Sequence, residues 1–316
     1  MTRVWRFVVI RLGRGLLTVL SVALLVFLLV RLVPGDPVDA ILGDQAAPED
    51  REAMRRALGL DRPLGEQLAS QTRALLDGSL GHSFRRPDRT VGSLIAEAMP
   101  HTVALALAAL AVAWAVALPL GVLAAASRGR RIDRIVSGLG ALGAAVPTIV
   151  LGPLLVLVFG VVLQWLPMPG DEEARGVRGL LLPALATGGA MAATLLRQCR
   201  AATLEAIGEP WVAAARARGL SGTHALVRHA LPTALGPVLT LGAAQAGALL
   251  SGAVVAERLF ERPGLGSLLV EAFFDRDVPV VQGCALLAAA LHVGIFVVAD
   301  LLHAAVDPRV REAVSP

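Results

Sequence analysis

The chain has 316 residues, 55% hydrophobic and 17% charged, with a mean hydropathy of +0.68. A soluble fold with a wetted surface cannot carry that balance, so the chain reads as a membrane protein. All 29 basic residues are arginine, and without lysine the Gly-Lys-[Ser/Thr] end of a P-loop cannot be written, which excludes ATP hydrolysis by that route. Two cysteines, Cys199 and Cys284, are too few for a disulfide framework or a four-ligand zinc site, and read as packing residues.

Six apolar segments reach or approach the roughly 20 residues that a helix needs to cross a bilayer core about 30 Å thick. In chain order they are residues 15–33, 102–126, 135–166, 180–196, 229–256 and 278–299. Arg3, Arg6, Arg11 and Arg14 before the first could open a secretory signal. Arg31-Leu-Val-Pro-Gly-Asp36 stands where a cleavage site would be, so an uncleaved first helix is expected, with Arg31 snorkelling at its end. The fourth segment is the shortest and is interrupted by proline and glycine. Small residues crowd several segments, as in Gly138–Gly143 and Gly242–Gly247, and such residues let helices approach closely in lipid. The expected fold is all-α: a six-helix transmembrane bundle, with residues 1–33 as N-terminus and first span. Residues 34–100 form a large outer loop, 101–306 a five-helix core, and 307–316 a tail.

With the N-terminus inside, residues 1–14, 127–134, 197–228 and 306–316 carry 15 arginines, and the two short outer loops, 167–179 and 257–277, carry 5. Both termini are therefore expected in the cytoplasm. The basic charge encodes orientation, so a nucleic-acid partner is set aside in favour of membrane lipid.

Residues 197–231 form the longest inner loop. Pro210 opens a run of good helix formers, Trp211 to Arg218, and Gly219 is placed to stop it. Ser221 can cap a second short helix that Leu231-Pro232 would end at the membrane. Ala213, Ala214 and Ala217 present little bulk, while Trp211, Arg216 and Arg218 can enter or line a groove on a partner.

This loop resembles the coupling loop of ABC importer permeases, with Ala213-Ala214-Ala215 in the first triplet, Gly219 as the glycine and Leu231-Pro232 at the end. The general pattern's Glu and Ile are absent. Ala215-Arg-Ala-Arg-Gly-Leu220 and Arg228-His-Ala-Leu231 are instead similar to the dipeptide/oligopeptide/nickel branch. So are Arg31 to Pro37, Leu58-Gly-Leu-Asp-Arg-Pro63, Gly78-Ser-Leu-Gly81 with Ser83 (Ser79 in place of the usual Asp), Phe260 to Gly266, and Asp307-Pro-Arg309. The resemblance is to the first, B-type, of two paired permeases and runs from residue 31 to 309.

The resemblance implies a type I importer permease for peptides or a related solute such as nickel, in the cytoplasmic (inner) membrane. It also implies docking of Trp211, Ala213, Ala214, Ala215, Arg216, Arg218, Gly219, Leu231 and Pro232 on an ABC ATPase subunit. A second permease and an extracytoplasmic solute-binding protein would complete the transporter. ATP and Mg would belong to the ATPases, leaving this chain without a cofactor, a metal or a catalytic residue.

Pro147 and Pro153 break the third span and mark it as a wall of the translocation path, with Gln245 and Ser251 of the fifth span as further candidates; alternatively the prolines only kink a helix and Gln245 bonds a neighbour. Asp300 either meets water at the inner end of the sixth span or serves as the coupling acid of an ion- or proton-driven secondary transporter. That alternative requires mid-membrane charges and an inverted repeat, and neither is seen. His292 and His303 share a helix face but lack the further ligands a nickel site needs. No hydrolase motif favours an enzyme.

Overall fold

The computed structural model describes residues 2–32, 36–43, 46–250 and 253–306. Helix dominates it, and among the described residues the strand-like pairing is an isolated antiparallel bridge between His82 and Thr90. The first long helix, α1 (Thr2–Leu32), is followed by three shorter ones, α2 (Pro37–Leu42), α3 (Pro48–Ala57) and α4 (Leu64–Leu76). The longest, α5 (Val91–Ala126), leads to α6 (Arg131–Ala145) and α7 (Thr148–Leu155), which runs on as a wider π-turn segment, Val156–Val162. Then come α8 (Leu181–Ile207), α9 (Pro210–Ala217), α10 (Gly222–Ala225), α11 (Leu231–Leu250), α12 (Val254–Leu259), α13 (Leu265–Phe274) and α14 (Val278–Val306). Among the described residues five helices are long and apolar enough to cross a membrane, and six if the bent pair Arg131–Ala145 and Thr148–Val162 counts as one span.

The centre of the bundle is the seam between α5 and α8. Ala106, Ala109, Ala113, Ala117 and Ala124 recur at helical spacing along one face of α5 and are all buried, as are Ala192, Leu195, Leu196, Cys199 and Ala202 of α8. Lipid is as apolar as these side chains, so the seam gains from close van der Waals packing rather than from expelling water. Gly188 shows how close the approach is: a Cβ there would lie 2.5 Å from the carbonyl oxygen of Ala109. The fourth apolar segment, the shortest in the sequence, is therefore the most deeply buried span. Its Pro183 falls in the first turn, where proline costs a helix little, and its glycines serve packing.

Three expectations are corrected. The helix expected from residue 101 starts at Val91, capped by the Thr90 hydroxyl, and its 36 residues extend about 54 Å. Its first turns pack Val91, Leu94 and Ile95 against α13 and α14 rather than belonging to a loop. In the third segment only Pro147 breaks the helix. Val146, forced toward extended geometry by the proline after it, and Pro147 together turn the chain by 101°, whereas Pro153 lies inside α7. The fifth span ends at Leu250, and Val254–Leu259 forms the separate helix α12.

Peripheral apolar side chains, including Leu16, Leu17 and Leu24 of α1 and Ile135, Leu139 and Leu142 of α6, remain exposed, as lipid- or partner-facing surface requires. Gly188→Ala should lower the thermal unfolding midpoint of the purified permease complex through an overpacking cost of about 1–3 kcal/mol. Gly138→Ala, whose added Cβ meets nothing within 4 Å, should leave it unchanged.

Candidate functional site

The loop after α8 folds as a compact platform. Pro210 occupies the first position of α9, where its missing N–H is not needed. At the far end Gly219 N–H donates to Arg216 O (2.9 Å) and Leu220 N–H to Ala215 O (3.4 Å), the paired bonds of a Schellman turn. Gly219 has φ +90°, and a Cβ there would meet no atom within 4 Å, so its requirement is conformational rather than steric. The hydroxyl of Ser221 then accepts from His224 N–H and caps α10.

The faces of α9 divide cleanly. Val212 and Ala215 are fully buried, and Val212 belongs to one cluster with Ala202 and Ala206 of α8 and Ala225, Leu226 and Ala230 beyond the turn. Trp211, Ala213, Ala214, Arg216, Ala217 and Arg218 are exposed. Ala215 thus sits on the buried side of the helix, because the helical period turns it inward with Val212.

Leu231-Pro232 does not end the second helix. A π-turn at Leu226–Ala230 carries α10 into α11 without interruption, Leu231 N–H bonding five residues back to Leu226 O. The wider turn makes room for the Pro232 ring, which would clash with the carbonyl four residues before it in a regular helix. Leu231 is half-buried and Pro232 exposed.

The root of the platform carries an ion pair that the sequence reading missed. Asp133, in the first turn of α6, is 4% exposed and accepts from Arg200 Nε (2.6 Å) and Nη2 (3.0 Å), from Gly129 N–H (2.9 Å) and from Ser137 Oγ (3.2 Å). Its sequence signal is faint: one acid among the four arginines of residues 127–134.

Pro147 and Pro153 are exposed on a segment that packs on α8 and α12, while Gln245 lies half-buried on α11, which packs on α5, α8 and α14. Gln245 Oε1 is buried without a hydrogen-bond partner. Ser251 lies outside the described residues, as do the side chains of Asp300 and His303 and the Asp307-Pro-Arg309 motif. The ring of His292 packs at 5.0 Å from that of Phe296.

Comparison with known proteins agrees with this architecture. The family described as binding-protein-dependent transport system inner membrane component matches residues 117–312, and its N-terminal membrane component matches residues 4–106. This chain belongs to that family. It is 36% identical over 332 residues to the di/tripeptide transport system permease DppB of Pseudomonas aeruginosa, covering 96% of this chain and 98% of that protein. It is 37% identical over 296 residues to the glutathione transport system permease GsiC of Escherichia coli, covering 93% and 95%. The MetNI methionine ABC transporter, solved in an inward-facing conformation, shares the fold with a TM-score of 0.57 at 20% identity, covering 68% of this chain and 96% of that one. The chain is a permease subunit of an ABC importer, a multi-pass inner membrane protein with the type I fold, and the secondary-transporter alternative is set aside.

At the end of the permease opposite the 197–231 loop, two buried carboxylates hold the recognised motifs. Glu257, fully buried, accepts from Thr102 Oγ1 (2.7 Å) of α5 and Ser267 N–H (2.9 Å) of α13, and Thr102 accepts in turn from Leu265 N–H (2.8 Å). Gly264 and Gly266 lack a Cβ where one would fall on that carboxylate, which accounts for the Pro-Gly-Leu-Gly run. Asp277 accepts from Ser83 Oγ, Phe84 N–H (3.0 Å) and Arg85 N–H (3.4 Å), clamping the Gly78–Ser83 motif to the start of α14. Beside it Asp77, held below the usual carboxylate range by the hydroxyl and amide of Ser79, stabilises the preceding turn.

Asp277→Ala should free residues 83–85 by removing hydrogen bonds worth about 2 kcal/mol together. Limited trypsin digestion should then cut faster after Arg85, the Arg86–Pro87 bond being resistant, with Asp277→Asn intermediate; equal rates in all three proteins would refute the clamp.

Proposed function

We propose that this permease is the first of two paired, non-identical permeases in an importer for short peptides, forming half of the path from an extracytoplasmic binding protein to the cytoplasm. The observation that carries the reading is α9: a short helix seated by Val212 and Ala215 and presenting Trp211, Ala213, Ala214, Arg216 and Arg218 outward, beside the fixed turn at Gly219. A face so divided suits docking on an ATPase whose movement the rigid seat passes to α8. The short-peptide class is supported by the names of the relatives, since di- and tripeptides and glutathione share a small peptide backbone.

ATP and Mg are bound by the ATPase partners, this lysine-free chain having no P-loop of its own. Two ATPases closing on nucleotide present two grooves and this chain supplies one docking loop, so a related second permease receives the other half of the motion. Membrane lipid covers the remaining apolar flanks, and neither nucleic acid nor a resident metal has a part.

The arginine bias, 15 against 5 in the short segments, supports a cytoplasmic location for both termini and residues 197–231, and an external one for residues 34–90. Cys199 and Cys284 are buried, so introduced cysteines report cleanly. Ser70→Cys should react with an impermeant thiol reagent in intact cells and Gly222→Cys should not; the reverse pattern overturns the orientation.

The function is tested by reconstituting this chain with its partner permease, ATPases and binding protein and measuring ATP-dependent uptake of a labelled tripeptide. Gly219→Val, which forces a β-branched residue into a left-handed turn at a cost of about 2 kcal/mol or more, should assemble and hydrolyse ATP but import little. Normal uptake by that variant would refute the coupling role of the turn.

A further inference from the structure

We propose that Asp133 and Arg200 are positioning residues that link the ATPase-docking platform to the bent third span, so that movement of the platform repositions α6 and α7. The inference rests on the reading of residues 210–219 as the docking element and names what that element moves.

The platform is continuous with α8. Ile207 ends the helix, Gly208 and Glu209 bridge to Pro210, and Gly208 N–H and Glu209 N–H still bond back to Glu205 O and Ala206 O (2.9 and 3.3 Å). Val212 packs in one core with Ala202 and Ala206. The last turns of α8 and α9 therefore form one solid body, and Arg200 projects from that body, two turns before the end of α8.

What Arg200 holds is the start of α6. The buried stripe of this helix is narrow, consisting of Asp133, Val136 and Gly140, while Ile132, Ile135, Leu139 and Leu142 are exposed. Farther along, α6 meets α8 through small surfaces: a Cβ at Gly140 would stand 3.2 Å from Leu196 Cδ2, and one at Gly143 would stand 3.1 Å from Ala193 Cβ. Such contacts resist separation but do not fix sliding or rotation. The bidentate pair fixes both, because the planar guanidinium and the carboxylate lock in one orientation. Gly129 N–H, from the turn between α5 and α6, and Ser137 Oγ, one turn farther along α6, complete the carboxylate's shell.

α6 then acts as a lever with its driven end at Asp133 and its far end at the break. Val146 and Pro147 turn the chain by 101° into α7, so rotation of α6 about its start displaces α7 and the following π-turn segment. α7 in turn packs on α12, Gly152 lying against Leu259, close to the Glu257 cluster at the opposite end of the molecule. A continuous chain of contacts thus runs from α9 through Arg200, Asp133, α6 and α7 to α12, and the ion pair is a directional polar joint within it.

The test uses the complete transporter in lipid nanodiscs or proteoliposomes, with Asp133→Asn, Arg200→Lys and the exchanged pair Asp133→Arg/Arg200→Asp. Uptake of a labelled tripeptide and ATP hydrolysis are measured on the same preparation, and complex assembly by size exclusion. Asp133→Asn and Arg200→Lys should assemble with ATP hydrolysis largely retained and solute imported per ATP reduced by about tenfold or more. The exchanged pair should recover part of that ratio. Unchanged import per ATP in the assembled single variants overturns the proposal. So does failure of all three to assemble, since the pair would then serve only as scaffold. Absence of ATP-dependent uptake by the unaltered transporter would instead sink the importer reading on which the inference rests.

Discussion

The permease depends first on the close contact of two backbones, those of α5 and α8. Within lipid no gain comes from hiding an apolar side chain, so large residues do not by themselves hold helices together. Alanine does: Ala106, Ala109, Ala113 and Ala117 lose almost no side-chain entropy on burial and let the partner helix approach until van der Waals contact is made along the whole seam. Once α8 is fixed against α5, it offers its other sides to α6, α7 and α11, and its end becomes the root of the platform that carries α9. The small residues that make the chain look featureless are the reason it has a rigid axis.

Charges occupy the two ends of that axis. Asp133 with Arg200 lies near the platform that carries α9, and Glu257 and Asp277 lie at the opposite end, each a buried carboxylate surrounded by donors. A carboxylate in a low-dielectric setting is tolerated only when its oxygens are satisfied, and here backbone N–H groups supply much of that shell. The arrangement separates two mechanical properties: apolar seams that hold helices together while permitting small displacements, and directional polar joints that fix orientation at the ends. A transporter that must change shape without coming apart needs both.

The spans and the short helix α9 were legible because their signals are local. Twenty apolar residues, Pro210 at a helix start and Gly219 at its stop each state their physics within a few positions of sequence. The buried carboxylates were not legible, because their partners lie far away: Arg200 is 67 residues from Asp133 and Thr102 is 155 from Glu257. The prolines were misjudged for a different reason. Pro147 breaks its helix while Pro153 and Pro232 lie within theirs, and the choice depends on whether neighbouring turns can widen, as Leu226–Ala230 does before Pro232. Proline removes one donor and one conformation; it does not say how the chain will accommodate the loss. The same uncertainty of context made residues 91–100 read as loop, although α13 and α14 supply the packing that extends α5.

The bend at Val146 and Pro147 bears on the pairing of permeases. A helix end leaves up to four carbonyls without intrahelical partners, and lipid cannot satisfy them. Pro147 is exposed in the single chain, and on either side of it α6 and α7 expose Ile135, Leu139, Leu142, Ile149, Val150 and Leu154. A break at membrane depth is stable only where protein or a water-filled path covers it, so a surface that joins an apolar flank to a broken backbone fits a partner helix beside an aqueous route better than it fits bulk lipid. The second permease we propose would provide that cover. The lever leading from Asp133 would then end at the boundary between the two subunits, where a path closed by one packing arrangement can be opened by another.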